Sequence, residues 1–273
     1  MQKRKKATPT PAAAYTSASA PVPRRAFLKR IGVGAVGGTM LSLVPPIAEA
    51  QEKPVTGGPG LFDTIYSMRA IRRLKPDPIP EKALRKIIEA GIHAPNGGNR
   101  QDWGFILVRD PEKKQFIRDH YWETFRKLRA NGPPLKDLPT DRQRTMQAAA
   151  YLAEHLQEVP VLLLACSAKE YPPWAQNPRA SAATMHASIY PAVQNILLAC
   201  RALGIGATLT TTHYFFEDVL KEKFGVPENM EIAALLPLGF PRGRLGQTTR
   251  KPVEEVMFWD QWSSRDVQQG EQS

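Results

Sequence analysis

Residues Val159 to Cys166 read Val-Pro-Val-Leu-Leu-Leu-Ala-Cys without a polar interruption. A half-buried strand alternates apolar and polar side chains, and this run does not, so it is read as a central strand buried on both faces. The other strand-patterned stretches are 104–109, Ile205 to Thr212 with its hydroxyl-rich end, and 230–238, which stops at Gly239-Phe240-Pro241. Helical patterns fill the intervals at 61–68, from Pro80-Glu81 to about residue 93, and at 112–130, 141–157, 182–203 and 215–224. Leu84, Ile87, Ile88 and Gly91 share one face of the second of these, and Val193, Ile196, Leu197, Cys200 and Leu203 one stripe of the fifth, with a kink expected at Pro191 and a cap at Gly204. Such an order of strands and helices predicts an α+β sheet protein.

The chain has 273 residues and is 42% apolar, enough for one large domain or two small ones with a substantial core. Its formal charge is +11, but residues 1–50 hold eight cations against Glu49 alone, a net +7, which leaves only +4 for the rest. A body so close to neutral carries no electrostatic footprint for nucleic acid. The basic opening, Arg24-Arg25-Ala26-Phe27-Leu28-Lys29, the apolar run from Ile31 to Val44, and Ala48-Glu49-Ala50 have the order of an export signal. Arg-Arg-x-Phe-Leu-Lys resembles a twin-arginine signal, which predicts a leader over 1–50, cleavage after Ala50, no stable membrane anchor and a periplasmic product. Gly32 to Gly37 fits G-x-G-x-x-G, yet no strand precedes it, so it is leader composition. A Gly/Pro linker follows at 51–60, and a polar tail at 263–273 is expected to be disordered.

Two stretches of the body are built to bind. Ala94-Pro95-Asn96-Gly97-Gly98-Asn99-Arg100-Gln101-Asp102-Trp103 joins a helix to a strand; its glycines admit close backbone approach, and the amides of Asn99 and Gln101 offer both donors and acceptors to a heterocycle edge. An ordinary turn uses the same residue types. Arg69, Arg72 and Arg73 precede the proline-rich 75–80 and are read either as surface charge or as a phosphate grip. Phe116, Trp122 and Phe125 make 112–157 a lid or substrate wall in one reading and core in the other. Cys166 and Cys200 occupy apolar positions and are read as buried free thiols, and the five histidines lack metal-ligand spacing, so no metal is expected. No nucleophile elbow or Walker loop is present. The aromatic arm from Glu254 to Trp262 must pack on its own body or on a partner.

Arg69-Ala70-Ile71-Arg72-Arg73, the loop 94–103, the segment Gln194 to Gly206, Leu238-Gly239-Phe240-Pro241 and Arg250-Lys251-Pro252 together resemble, in order, the nitroreductase family of FMN-dependent oxidoreductases. The resemblance covers about 62–262 and implies one FMN-binding domain over 61–262, a nitroreductase-like fold with a central, mainly antiparallel sheet surrounded by helices, and an intertwined homodimer. It implies that Arg69, Ala70, Arg72 and Arg73 hold the phosphate and ribityl chain, that Asn99 and Gln101 reach the ring, that the amides of Thr211 and Thr212 approach N5, and that Arg250 returns to the phosphate. Met68 and Ala70 stand where the family has arginine and serine, Asn96 replaces a serine, and Asp102 replaces a proline. The implied reaction is a ping-pong hydride transfer through flavin N5 from NAD(P)H, or from another donor outside the cytoplasm, to a nitroaromatic, quinone or similar small acceptor. A specialised flavoenzyme, dehalogenase-like or ring-oxidising, and a flavin-binding protein without turnover are the alternatives on the same residues.

Overall fold

In the computed structural model the described residues are 59–169, 177–243, 246 and 249–262. The leader, most of the linker and the tail at 263–273 lie outside them. Four strands, β1 (Trp103–Val108), β2 (Val161–Ala168), β3 (Gly206–Ala207) and β4 (Met230–Gly239), make one antiparallel sheet in the order β1-β2-β4-β3. Six α-helices accompany it: α1 (Leu61–Ser67), α2 (Glu81–Ile92), α3 (Pro111–Ala130), α4 (Thr140–Glu154), α5 (Pro178–Ala202) and α6 (Glu217–Phe224).

The apolar run is the centre of the structure, as its composition required. Val161, Leu163 and Ala165 of β2 face α2 and α5, meeting Ile87, Val193 and Ile196, while Leu162, Leu164 and Cys166 face Ile117 of α3, Leu152 of α4 and Leu220 of α6. Every one of these side chains is buried. On α2, Gly91 lets the helix lie against α5, since a Cβ there would stand 2.8 Å from Ile196 Cγ1. Gly204, at φ 73°, ends the long helix, and the Ile205 N–H closes the turn onto the Cys200 carbonyl at 2.8 Å. α5 runs through Pro191 as one helix.

Three expectations need adjustment. Phe116, Trp122 and Phe125 pack against the core on the α3 side of the sheet, so the core reading of those aromatics holds. α4 stops at Glu154 and gives way to a single turn at Leu156–Glu158. The strand expected over 205–212 is reduced to Gly206–Ala207, although Thr210 rejoins Leu235 in the same register. Cys166 and Cys200 are free and buried, and burial raises their thiols to about 11 and about 12 respectively, well out of the nucleophilic range.

The β2–β4 register slips between Ala165 and Cys166, where Ala233 is the extra residue on β4. A bulge frees backbone groups, and side chains take them up. Tyr190 and Tyr214 both donate to the Ala233 carbonyl, at 3.1 and 2.8 Å, and the Ile232 N–H donates to Glu217 Oε1 at 2.7 Å. His213 Nε2, fully buried, donates to the Ile232 carbonyl. Its Nδ1 has no partner among the described residues, and burial lowers the ring's pKa, so the imidazole is neutral. A histidine depressed in the folded state contributes stability above its unfolded pKa and loses it as the pH falls toward the folded value. Lowering the pH from 8 to 5.5 should therefore depress the melting temperature, and His213→Gln should cost about 1–3 kcal/mol at pH 8 yet show a shallower decline. Parallel declines, followed by circular dichroism, would remove His213 as the cause.

Candidate functional site

The arginine segment is an extended stretch laid along the β3 edge of the sheet. Ala70 bridges Ala207, the Ile71 N–H donates to the Ala207 carbonyl at 3.0 Å, and the Lys75 N–H donates to the Phe240 carbonyl at 2.7 Å. Two glycines make this seat possible. A Cβ at Gly206 would stand 2.8 Å from Ile71 Cγ2, and one at Gly239 would stand 3.1 Å from Leu74 Cβ.

Arg69, Ala70, Arg72 and Arg73 line one cavity of about 370 Å³, together with Arg144 and Thr145 of α4 and with Pro241 and Arg242. Among the described residues no acidic side chain lines it. Arg72 is half-buried; desolvation lowers its pKa and nearby Arg69 adds to that, with the Tyr121 hydroxyl opposing. Neither Arg69, Arg72 nor Arg144 forms an ion pair among the described residues. Unpaired guanidinium groups gathered in an acid-free hollow describe an anion site. Two other arginines there have structural partners: Arg73 lies over the Tyr151 ring, 4.6 Å from its centroid, and Arg242 Nε donates to the Leu74 carbonyl at 3.0 Å. Met68 does not replace the family's first arginine in kind, because it packs against the core.

The amide loop stands elsewhere, at the start of β1. Asn99 and Gln101 have φ of 52° and 55°, two of the three non-glycine residues in the left-handed region among the described residues. This strain is held in place by the side chain of Asn96, whose Oδ1 accepts from the Gln101 N–H at 2.9 Å, and by Ser188 of α5, which accepts from the Gly97 N–H at 3.2 Å. Strained backbone with both side chains exposed is typical of a contact surface fixed before its ligand arrives. The negative charge of Asp102 is matched within the loop by Arg100 Nε.

These two sets do not meet within the chain. Trp103 is level with Ser167 and Glu231 at one end of the sheet, whereas Ala70 is level with Ala207 and Leu238 near the other. Seven residues along β4 and four inter-strand spacings place them at diagonal corners, about 30 Å apart. Thr211 and Thr212 follow the Thr210–Leu235 bridge and open a one-turn helix, Thr211 exposed and Thr212 half-buried. Arg250 does not line the arginine cavity; it is exposed, and Nη1 donates to the Thr249 carbonyl at 2.9 Å. Arg144 and Arg242 are the residues that the sequence reading missed. Arg242 directly follows the Leu238-Gly239-Phe240-Pro241 motif and could have been found from it, but Arg144 sits in an exposed helix turn that reads as solvated charge. Among the described residues no group of three histidine, cysteine or acidic side chains could hold a metal, and no helix is long and apolar enough to cross a membrane.

The profile of the Nitroreductase family matches residues 65–240, and the chain belongs to that family. Its fold is nitroreductase-like, and FMN is the family's cofactor. An NADH dehydrogenase of Thermus thermophilus is 26% identical over 218 residues, which is 70% of this chain and 91% of the relative. Iodotyrosine deiodinase 1 of Rattus norvegicus is 26% identical over 200 residues, or 72% of this chain and 68% of the relative. Among solved structures, oxidized iodotyrosine deiodinase bound to FMN and 3-iodo-L-tyrosine superimposes with a TM-score of 0.56 at 22% identity, covering 71% of this chain and 96% of the other.

Gly206→Val should drive Ile71 and Leu74 off the β3 edge and lower stability by about 1–3 kcal/mol. Urea unfolding checks this, and an unchanged midpoint would mean that the segment does not need the glycine.

Proposed function

We propose that this chain is an FMN-dependent oxidoreductase that takes reducing equivalents from NAD(P)H or another donor and passes them to a nitroaromatic, quinone or similar small acceptor. The observation that carries the reading is the acid-free cavity with unpaired Arg69 and Arg72, in a family whose cofactor is a phosphorylated flavin. A phosphate dianion would satisfy the half-buried Arg72 that no carboxylate satisfies. Bound FMN supplies hydride acceptance and release at N5. The chain supplies position and electrostatics: arginines for the phosphate, Asn99 and Gln101 for the ring edge in either redox state, and the amides at Thr211 and Thr212 for the N5 side. That division of labour leaves no side-chain acid or base obligatory for the transfer itself.

A mononucleotide cannot span the diagonal between Ala70 and Asn99, so on this reading a complete site takes its arginines from one subunit and its amide loop from another. Two apolar surfaces favour the homodimer. Leu61, Phe62, Ile65 and Tyr66 of α1 are exposed, as are Val253, Val256, Met257, Trp259 and Trp262 of the arm, the last at 83%. On this reading a partner subunit covers the exposed apolar side chains of the arm. Residues 1–50 would direct export of the 61–262 domain, and in a periplasm the donor would be something other than NAD(P)H. A second reading, reductive dehalogenation on the same fold, is favoured by the similarity to iodotyrosine deiodinases.

The mature chain, residues 51–273, should be yellow and should bleach anaerobically with NADPH, or with dithionite alone if the donor is different; a chain that takes up no FMN overturns the proposal. Arg69→Ala should weaken FMN binding roughly tenfold or more, whereas Arg129→Ala, at a half-buried position outside the cavity lining, should leave it unchanged. Truncation after Arg250 should turn a dimer into a monomer on sizing, and a persistent dimer would show that the arm is not what joins the subunits.

A further inference from the structure

We propose that Arg144, on α4, is the third guanidinium of the phosphate site and stands in for the cation that Met68 fails to provide. The inference rests on the FMN reading and adds to it a residue outside every matched motif. Five arginines line the cavity, but they are not equivalent. Arg73 is engaged with the Tyr151 ring and Arg242 with the Leu74 carbonyl, so both have fixed positions set by the protein. Arg69, Arg72 and Arg144 have no ion pair among the described residues, and they come from two separate elements that converge on one hollow.

A third group from another element suits the chemistry. Arg69 and Arg72 approach the hollow from one segment, and a guanidinium from α4 meets a phosphate from a second direction, which multidentate binding of its oxygens favours. Met68 lies one residue before Arg69, half-buried and packed against the core, and supplies no cation there. Arg250, the other basic residue expected to return to the phosphate, is exposed and outside the cavity lining. Among the described residues Arg144 is the cavity-lining arginine outside the 69–73 segment that has neither an ion pair nor another side-chain partner, and Thr145 beside it adds a hydroxyl to the same wall. The consequence is that α4 belongs to cofactor binding, whereas in sequence it reads as part of a lid.

The test compares FMN with riboflavin, which lacks the phosphate, by flavin fluorescence quenching on the full mature chain. Arg144→Gln should weaken FMN binding roughly tenfold while leaving riboflavin binding within experimental error, and Arg144→Lys should recover part of the loss. Arg142→Gln, an exposed neighbour on the same helix outside the cavity, should bind FMN as the wild type does. Equal FMN binding by Arg144→Gln and wild type would overturn the assignment and leave the FMN reading standing. An equal loss for FMN and riboflavin would also overturn it, because it would mean that the helix had shifted. If the wild type itself binds neither flavin, the FMN reading fails and takes this inference with it.

Discussion

The structure depends on one strand that has no solvent face. Because β2 is apolar from Val161 to Cys166, helices must cover it on both sides, and α2 with α5 on one face and α3, α4 and α6 on the other are that cover. A strand buried in this way must also have a neighbour at each edge, which places β1 and β4 on either side of it and leaves the outer edges for β1 and for β3 with the arginine segment. The positions of the two candidate half-sites follow from that arrangement. Residues 96–103 lead into one outer strand, and residues 69–75 run beside the other, so the sheet itself keeps them apart.

The parts of the fold legible in the sequence were those where one residue type has few alternatives. Val161 to Cys166 read as a central strand and Gly204 as a helix cap, and the structure has both. The bulge at Ala233 was not legible, because Ala233 and Ala234 carry no signal of which one is extra, and the groups that stabilise it, Tyr190, Tyr214, His213 and Glu217, come from two distant segments.

The site shows the same division. Asn99 and Gln101 were identifiable from their side-chain chemistry, but the left-handed backbone at Gln101 was not, since glutamine does not favour it as asparagine does and the bond that holds it comes from Asn96. Asp102 looked like an unwanted charge next to a flavin, and its neutralisation by Arg100 two residues earlier emerges only in three dimensions. Arg144 was invisible because Asp141-Arg142-Gln143-Arg144 has the composition of any solvated helix turn. What the sequence hides in these cases is an arrangement that only the folded loop or cavity brings about.

The diagonal placement of the arginine segment and the amide loop has a genetic consequence. In a dimer whose sites each draw one half from either chain, an arginine-deficient subunit and a loop-deficient subunit are complementary lesions: when they pair, both defects fall in one site and the other is assembled entirely from intact parts. Two alleles that are each null as homodimers would then give one intact site in every mixed dimer, about a quarter of all sites when the chains assort at random, so recessive loss at one corner of the sheet could be masked by loss at the other.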